Sequence, residues 1–155
     1  MEELLPGEVV DLSEPDFSLV PTIYVAALWH QIQPILMEFG KKWLETYSLE
    51  EVCQSLTTGY MDVWIAGEDG VAEGVTLCAW ECHAHKKFYH ILFCGGRGLE
   101  KYFDGLEKIE QYVCMSGGAE VLLEGRLGWG RRLKKHGYSQ TTVKLRKPVS
   151  VLWRS

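Results

Sequence analysis

The 155-residue chain has no apolar run long enough to cross a bilayer, no G-x-G-x-x-G fingerprint, no Walker lysine, and no acidic residue after Glu124. The first absence excludes a membrane-spanning helix, and the next two exclude the usual dinucleotide and P-loop signatures. Its start, MEELLPGEVV, lacks the basic flank and longer apolar stretch of a signal peptide, so a cytoplasmic location is expected. The five cysteines (Cys53, Cys78, Cys82, Cys94, Cys114) are odd in number and scattered, which points to reduced, mostly buried thiols. With no repeat, low-complexity tract or linker, the chain reads as one domain over residues 1–155, large enough to bury its own core.

The missing acid at the C-terminal end creates a strong asymmetry. From Arg126 onward nine Lys or Arg stand against no acidic residue, whereas residues 1–125 hold seven basic and 21 acidic residues, a charge of −14. Such halves can attract an anion to one side and a cationic group to the other, or face each other and cancel. Nucleic-acid binding through the basic segment is not expected, because no aromatic stacking platform is interleaved with its charges.

The pattern begins with a short strand around VVDL and an irregular lead-in through Pro15 and Pro21. Ile23, Ala26, Ala27, Ile35, Leu36, Phe39 and Trp43 then follow helical spacing, with Pro34 expected to split or kink the helix. Ser48 and Glu51 fit a capping box opening a helix that stops before Gly59. MDVWIAG, the EDG turn and VAEGVTLCAWECHAH form a hairpin, and KFYHILFC adds a third strand after the polar HKK. A helix over 99–116 ends at Gly117-Gly118, AEVLLEG is a short buried strand, LGWGRRLKKHGY a basic helix ending at Gly137, and SQTTVKLRKPV a final strand. The implied fold is α/β, with an antiparallel meander that opens into parallel pairing around the helix at 99–116.

Two stretches invite a chemical reading. CAWECHAH offers Cys78, Cys82, His83 and His85, but in a strand the two cysteines are about 13 Å apart and the histidines point to the other face, so no metal site is expected. CGGRGLEKYF places Gly95, Gly96, Arg97 and Gly98 between an apolar strand and a helix, where free backbone N–H groups and the helix dipole can receive a phosphate.

The order of these elements, together with GGRGL and GRLGWGRRLKKHGY, resembles the GNAT family of N-acetyltransferases over nearly the whole chain. More narrowly, the two motifs resemble divergent GNAT-like proteins of tailed phages and prophages. The resemblance implies a central sheet with a splayed parallel pair that receives the pantetheine arm of acetyl-CoA, with the strands ending at Cys94 and Glu124 as that pair. It also implies a pyrophosphate turn at Gly95, Gly96, Arg97 and Gly98, and an amine acceptor.

Three positions depart from the family pattern. Gly95 stands where Arg or Gln is preferred, and Glu100 stands where Gly or Ala is wanted. A carboxylate there repels the pyrophosphate from the helix dipole. Leu133 occupies the place, five residues before Tyr138, where many members carry a proton-donating tyrosine. A base would come from a strand residue near the splay, such as Glu81 or His90. Two functions follow: acetyl transfer from acetyl-CoA to an amine, or a catalytically inactive GNAT-fold phage protein with a structural, internal-virion or protein-interaction role. In the second case the partner is a phage or host protein and the location the host cytoplasm or the virion.

Overall fold

The computed structural model describes residues 16–97, 105–124, 133–141 and 147. The chain divides into two compact units, Met1–Glu124 and Gly125–Ser155. In the first, β1 (Asp16–Val20) precedes α1 (Val25–Phe39), α2 (Leu49–Thr58), β2 (Asp62–Glu68), β3 (Val71–His83), β4 (Lys86–Gly96), α3 (Gly105–Met115) and β5 (Glu120–Leu123). The strands form one sheet in the order β1-β2-β3-β4-β5, antiparallel throughout except for the parallel β4–β5 pair. No helix of the described residues is long and apolar enough to cross a membrane.

Helices cover both faces of the sheet, which is why β2 reads as a nearly continuous apolar run rather than an alternating one. Val63 and Ile65 of β2 pack with Val75, Leu77 and Phe93 beneath Ile32, Ile35 and Leu36 of α1 and Val52 and Leu56 of α2. Trp64 and Ala66 turn the other way and pack with Phe17, Cys78, Tyr89 and Ile91 against Ile109 and Val113 of α3.

Local signals act where expected. The Ser48 hydroxyl accepts from the Glu51 N–H at 3.1 Å, and Gly59, at φ 84°, ends α2 in the left-handed region. Asp69 and Gly70 make the β2–β3 turn with positive φ at both positions. The Gly118 N–H reaches back to the Val113 carbonyl and closes α3.

Other expectations are corrected. The lead-in between Pro15 and Pro21 is not irregular but forms strand β1, Asp16–Val20, while the strand expected around VVDL lies outside the described residues and is untested. Pro34 does not split α1, which runs unbroken from Val25 to Phe39. The proline is exposed while Ile32, Ile35 and Leu36 around it are buried, so packing holds the helix, and the residue whose carbonyl loses the Pro34 N–H, His30, is itself exposed. The β3–β4 turn consists of Ala84 and His85, at φ 50° and 67°, and Lys86-Lys87 belong to β4 rather than to the turn. Strand β5 is only partly buried. Of the five free cysteines only Cys78 is buried, and Cys82 and Cys114 are exposed.

The helix expected over 99–116 is described from Gly105 onward, residues 98–104 lying outside the described part. In the second unit Leu133 is buried, the Tyr138 N–H donates to the Leu133 carbonyl, and Gly137 has φ 88°, as a capped helix end requires. The final strand over SQTTVKLRKPV falls mostly outside the described residues.

Candidate active site

The site is built where β4 and β5 part. Their pairing runs from Phe88↔Glu120 to Ile91↔Leu123 and stops there, while β4 continues to Gly96. At the same point β4 carries one extra residue: Cys78 faces Ile91 but Leu77 faces Phe93, leaving Leu92 as a bulge. The bulge reverses the alternation, so Ile91 packs on the α3 side and Phe93 on the α1–α2 side. Beyond Ile91, the edge of β4 that faced β5 has no strand partner among the described residues. Backbone N–H and C=O groups on a strand edge without such a partner suit pairing with an extended, amide-bearing ligand.

The glycines of the expected turn have packing duties of their own. Gly95 and Gly96 are the last residues of β4, opposite Val75 and Gly74. A Cβ on Gly96, at φ 151°, would lie 2.3 Å from the Glu73 carbonyl oxygen, and one on Gly95 would lie 2.6 Å from the Phe93 ring. Glu73 is itself the extra residue of a second bulge, between Ala72 and Gly74, and its carbonyl accepts from the Arg97 N–H at 2.9 Å. The Arg97 guanidinium lies on the Glu38 carboxylate of α1 at 3.1 Å, an exposed ion pair of small energetic weight. Of the four expected turn residues, three are thus accounted for at the strand end, and Gly98 lies outside the described residues, as does Glu100.

The two strand residues named as bases do converge. Ala79↔His90 and Glu81↔Phe88 are successive same-face pairs of the β3–β4 ladder, which makes Glu81 and His90 diagonal neighbours. His90 Nδ1 lies 2.8 Å from Glu81 Oε1, and His83 Nε2 lies 3.3 Å from Glu81 Oε2. The His90 bond, followed in weight by burial acting the other way, leaves the Glu81 carboxyl below the usual carboxylate range. His90 is 13% exposed, and its Nε2 is buried with no hydrogen-bond partner among the described residues, Glu124 Oε1 standing 3.5 Å away just past β5. With Glu81 accepting at Nδ1, the neutral ring carries its proton there and its lone pair at Nε2. An imidazole so held can take a proton from a group brought to Nε2.

On the opposite face lies a polar network that the sequence does not disclose. Trp64 Nε1 donates to the Tyr89 hydroxyl at 3.0 Å, and that hydroxyl donates to Asp62 Oδ2 at 2.7 Å. Burial raises the Asp62 carboxyl above its ordinary range and pushes both the Tyr89 hydroxyl and the Cys78 thiol far up. Tyr89 and Cys78 therefore keep their protons near neutral pH and serve, with Asp62, as anchors of the core between β2 and β4 rather than as acids or nucleophiles. Among the described residues no group of three or more His, Cys, Asp or Glu is placed to hold a metal ion.

No protein-family model matches the sequence, and no curated protein matches it. Solved structures do. A predicted acetyltransferase from Clostridium acetobutylicum, crystallised with acetyl-CoA, matches with TM-score 0.62 at 13% identity, covering 89% of this chain and 97% of that one. An aminoglycoside acetyltransferase from an uncultured soil metagenomic sample matches with TM-score 0.64 at 15% identity, over 87% and 98% of the two chains. The glucosamine-6-phosphate N-acetyltransferase of Arabidopsis thaliana matches with TM-score 0.58 at 13% identity, over 87% and 99%. At these identities the likeness is one of fold: the mixed sheet with its parallel β4–β5 pair, flanked by helices, is the GNAT acetyltransferase fold.

Proposed function

We propose that this chain transfers an acetyl group from acetyl-CoA to an amine, with His90 as the base and Glu81 holding its ring. The single observation that carries the reading is the His90 imidazole at the line where β4 and β5 part. Its Nδ1 is committed to Glu81, and its buried Nε2 has no hydrogen-bond partner among the described residues. Fold likeness alone would not single out a function. When bound, acetyl-CoA supplies the activated thioester. The edge of β4 from Leu92 to Gly96, which has no strand partner among the described residues, would hold its pantetheine amides, and the turn opened by Gly95, Gly96, Arg97 and Gly98 would receive its pyrophosphate. The acceptor is a cationic amine, in keeping with the −14 charge of residues 1–125 and with the carboxylates of Glu81 and Glu124 on either side of His90.

The second reading is a GNAT-fold protein without catalysis, a structural or interaction component like those of the phage group its motifs resemble. It is favoured by buried Leu133 where a tyrosine is usual, and by an Arg97 N–H already given to Glu73. Calorimetry with acetyl-CoA, followed by thiol release in the presence of small polyamines, separates the two. Under the first reading acetyl-CoA binds, thiol is released, and His90→Gln lowers turnover by roughly 10²-fold or more, with binding retained. Absence of acetyl-CoA binding by the wild type selects the second reading.

A further inference from the structure

Glu81 is gripped from both sides. Its Oε1 meets His90 Nδ1 at 2.8 Å, and its Oε2 meets His83 Nε2 at 3.3 Å. The three groups lie on one face of the β3–β4 hairpin, spaced by the ladder: His83 is two residues beyond Glu81 on β3, and its ring sits 5.8 Å from that of Phe88, the cross-strand neighbour of Glu81. Exposure rises along the row, from 13% at His90 to 35% at Glu81 and 66% at His83. A carboxylate that open to water, held by one bond only, has several rotamers that turn it away from its partner. A second donor on the far oxygen removes them. Among the described residues the other charged group facing the His90 ring is Glu124 beyond β5, whereas Lys87 turns to the opposite face, over the Trp80 ring at 4.4 Å.

We propose that His83 is a positioning residue: it clamps the far oxygen of Glu81 so that the near oxygen holds His90 with its proton on Nδ1 and its lone pair on Nε2. His83 itself takes no proton from a substrate. The use of this clamp in turnover rests on the reading of His90 as the base, but the clamp has a signature that needs no turnover. A free imidazole favours the proton on Nε2, so the opposite tautomer at His90 reports the hold of Glu81.

The test is the ¹⁵N spectrum of ring-labelled histidine at about pH 8.5, where histidines of ordinary pKa are neutral. In the wild type the Nδ1–H form of His90 should dominate. In His83→Ala the ratio of the two forms should fall about fivefold, the factor supplied by one ordinary net hydrogen bond. His83→Gln, whose amide can donate to Oε2, should restore most of the ratio, and Glu81→Ala should abolish the preference. An unchanged ratio in His83→Ala overturns the proposal, and so does an equal loss in His83→Ala and His83→Gln, which would mean that bulk alone matters. Thiol release from acetyl-CoA, measured on the same samples, separates the two claims. A tautomer that responds to His83 in a protein without turnover rejects the base and keeps the clamp. Turnover with a tautomer indifferent to His83 keeps the base and rejects the clamp.

Discussion

Gly96→Ala distinguishes a glycine kept for packing from one kept for a ligand. The added methyl would lie 2.3 Å from the Glu73 carbonyl oxygen and 2.4 Å from the Gly74 Cα, both backbone atoms that no rotamer change can move aside. The backbone must also keep φ near 151°, a region closed to most side chains. Overpacking of this kind costs about 1–3 kcal/mol and the backbone strain about 1 kcal/mol more, so the loss should be about 2–4 kcal/mol. In a chain of this size that lowers Tm by roughly 4–16 °C. Gly95→Ala meets chiefly the rim of the Phe93 ring, which can tilt, and should cost less than half as much. Urea denaturation of both variants, in the absence of any nucleotide, measures the difference. A loss below about 0.5 kcal/mol for Gly96→Ala, or a larger loss for Gly95→Ala, would refute the close approach of β3 to the end of β4.

Two further outcomes follow from the network across β2–β4. Asp62 has a carboxyl raised by burial, so its charged form is disfavoured in the fold; that penalty is present at neutral pH and disappears as pH falls through the raised value. Asp62→Asn keeps an acceptor for Tyr89, so it should be at least as stable as the wild type at neutral pH and lose that advantage on acidification; a less stable variant at pH 7 in denaturant titrations would show that the charge is net favourable. Tyr89→Phe removes the hydroxyl that joins Trp64 to Asp62 in a fully buried setting, and should cost about 1–3 kcal/mol by urea unfolding; a neutral effect would mean that the two partners find other hydrogen bonds.

The sequence by itself determined what is local or periodic. The cap at Ser48, the left-handed stops at Gly59 and Gly117, the Asp69-Gly70 turn and the apolar spacing of α1 and α3 are each written in a few neighbouring residues, and the backbone obeys them. The meander followed by helix and parallel strand then fixes the fold class. Tertiary structure decided whatever depends on register. A single extra residue at Leu92 moves Phe93 to the opposite face, and a single extra residue at Glu73 brings a carbonyl against Gly96 and Arg97. Neither bulge has a mark in composition. The same holds for the candidate site: Glu81 and His90 stood out only as strand residues near the splay. A two-residue turn built from Ala84 and His85, without the glycine that usually signals one, sets the pairing that joins them to His83. Pro34 reverses the lesson, since a strong local breaker yields to the buried residues on either side of it. Local chemistry chooses the elements, but side-chain encounters across strands follow from a count of residues along two separated segments, and a shift of one reverses every face.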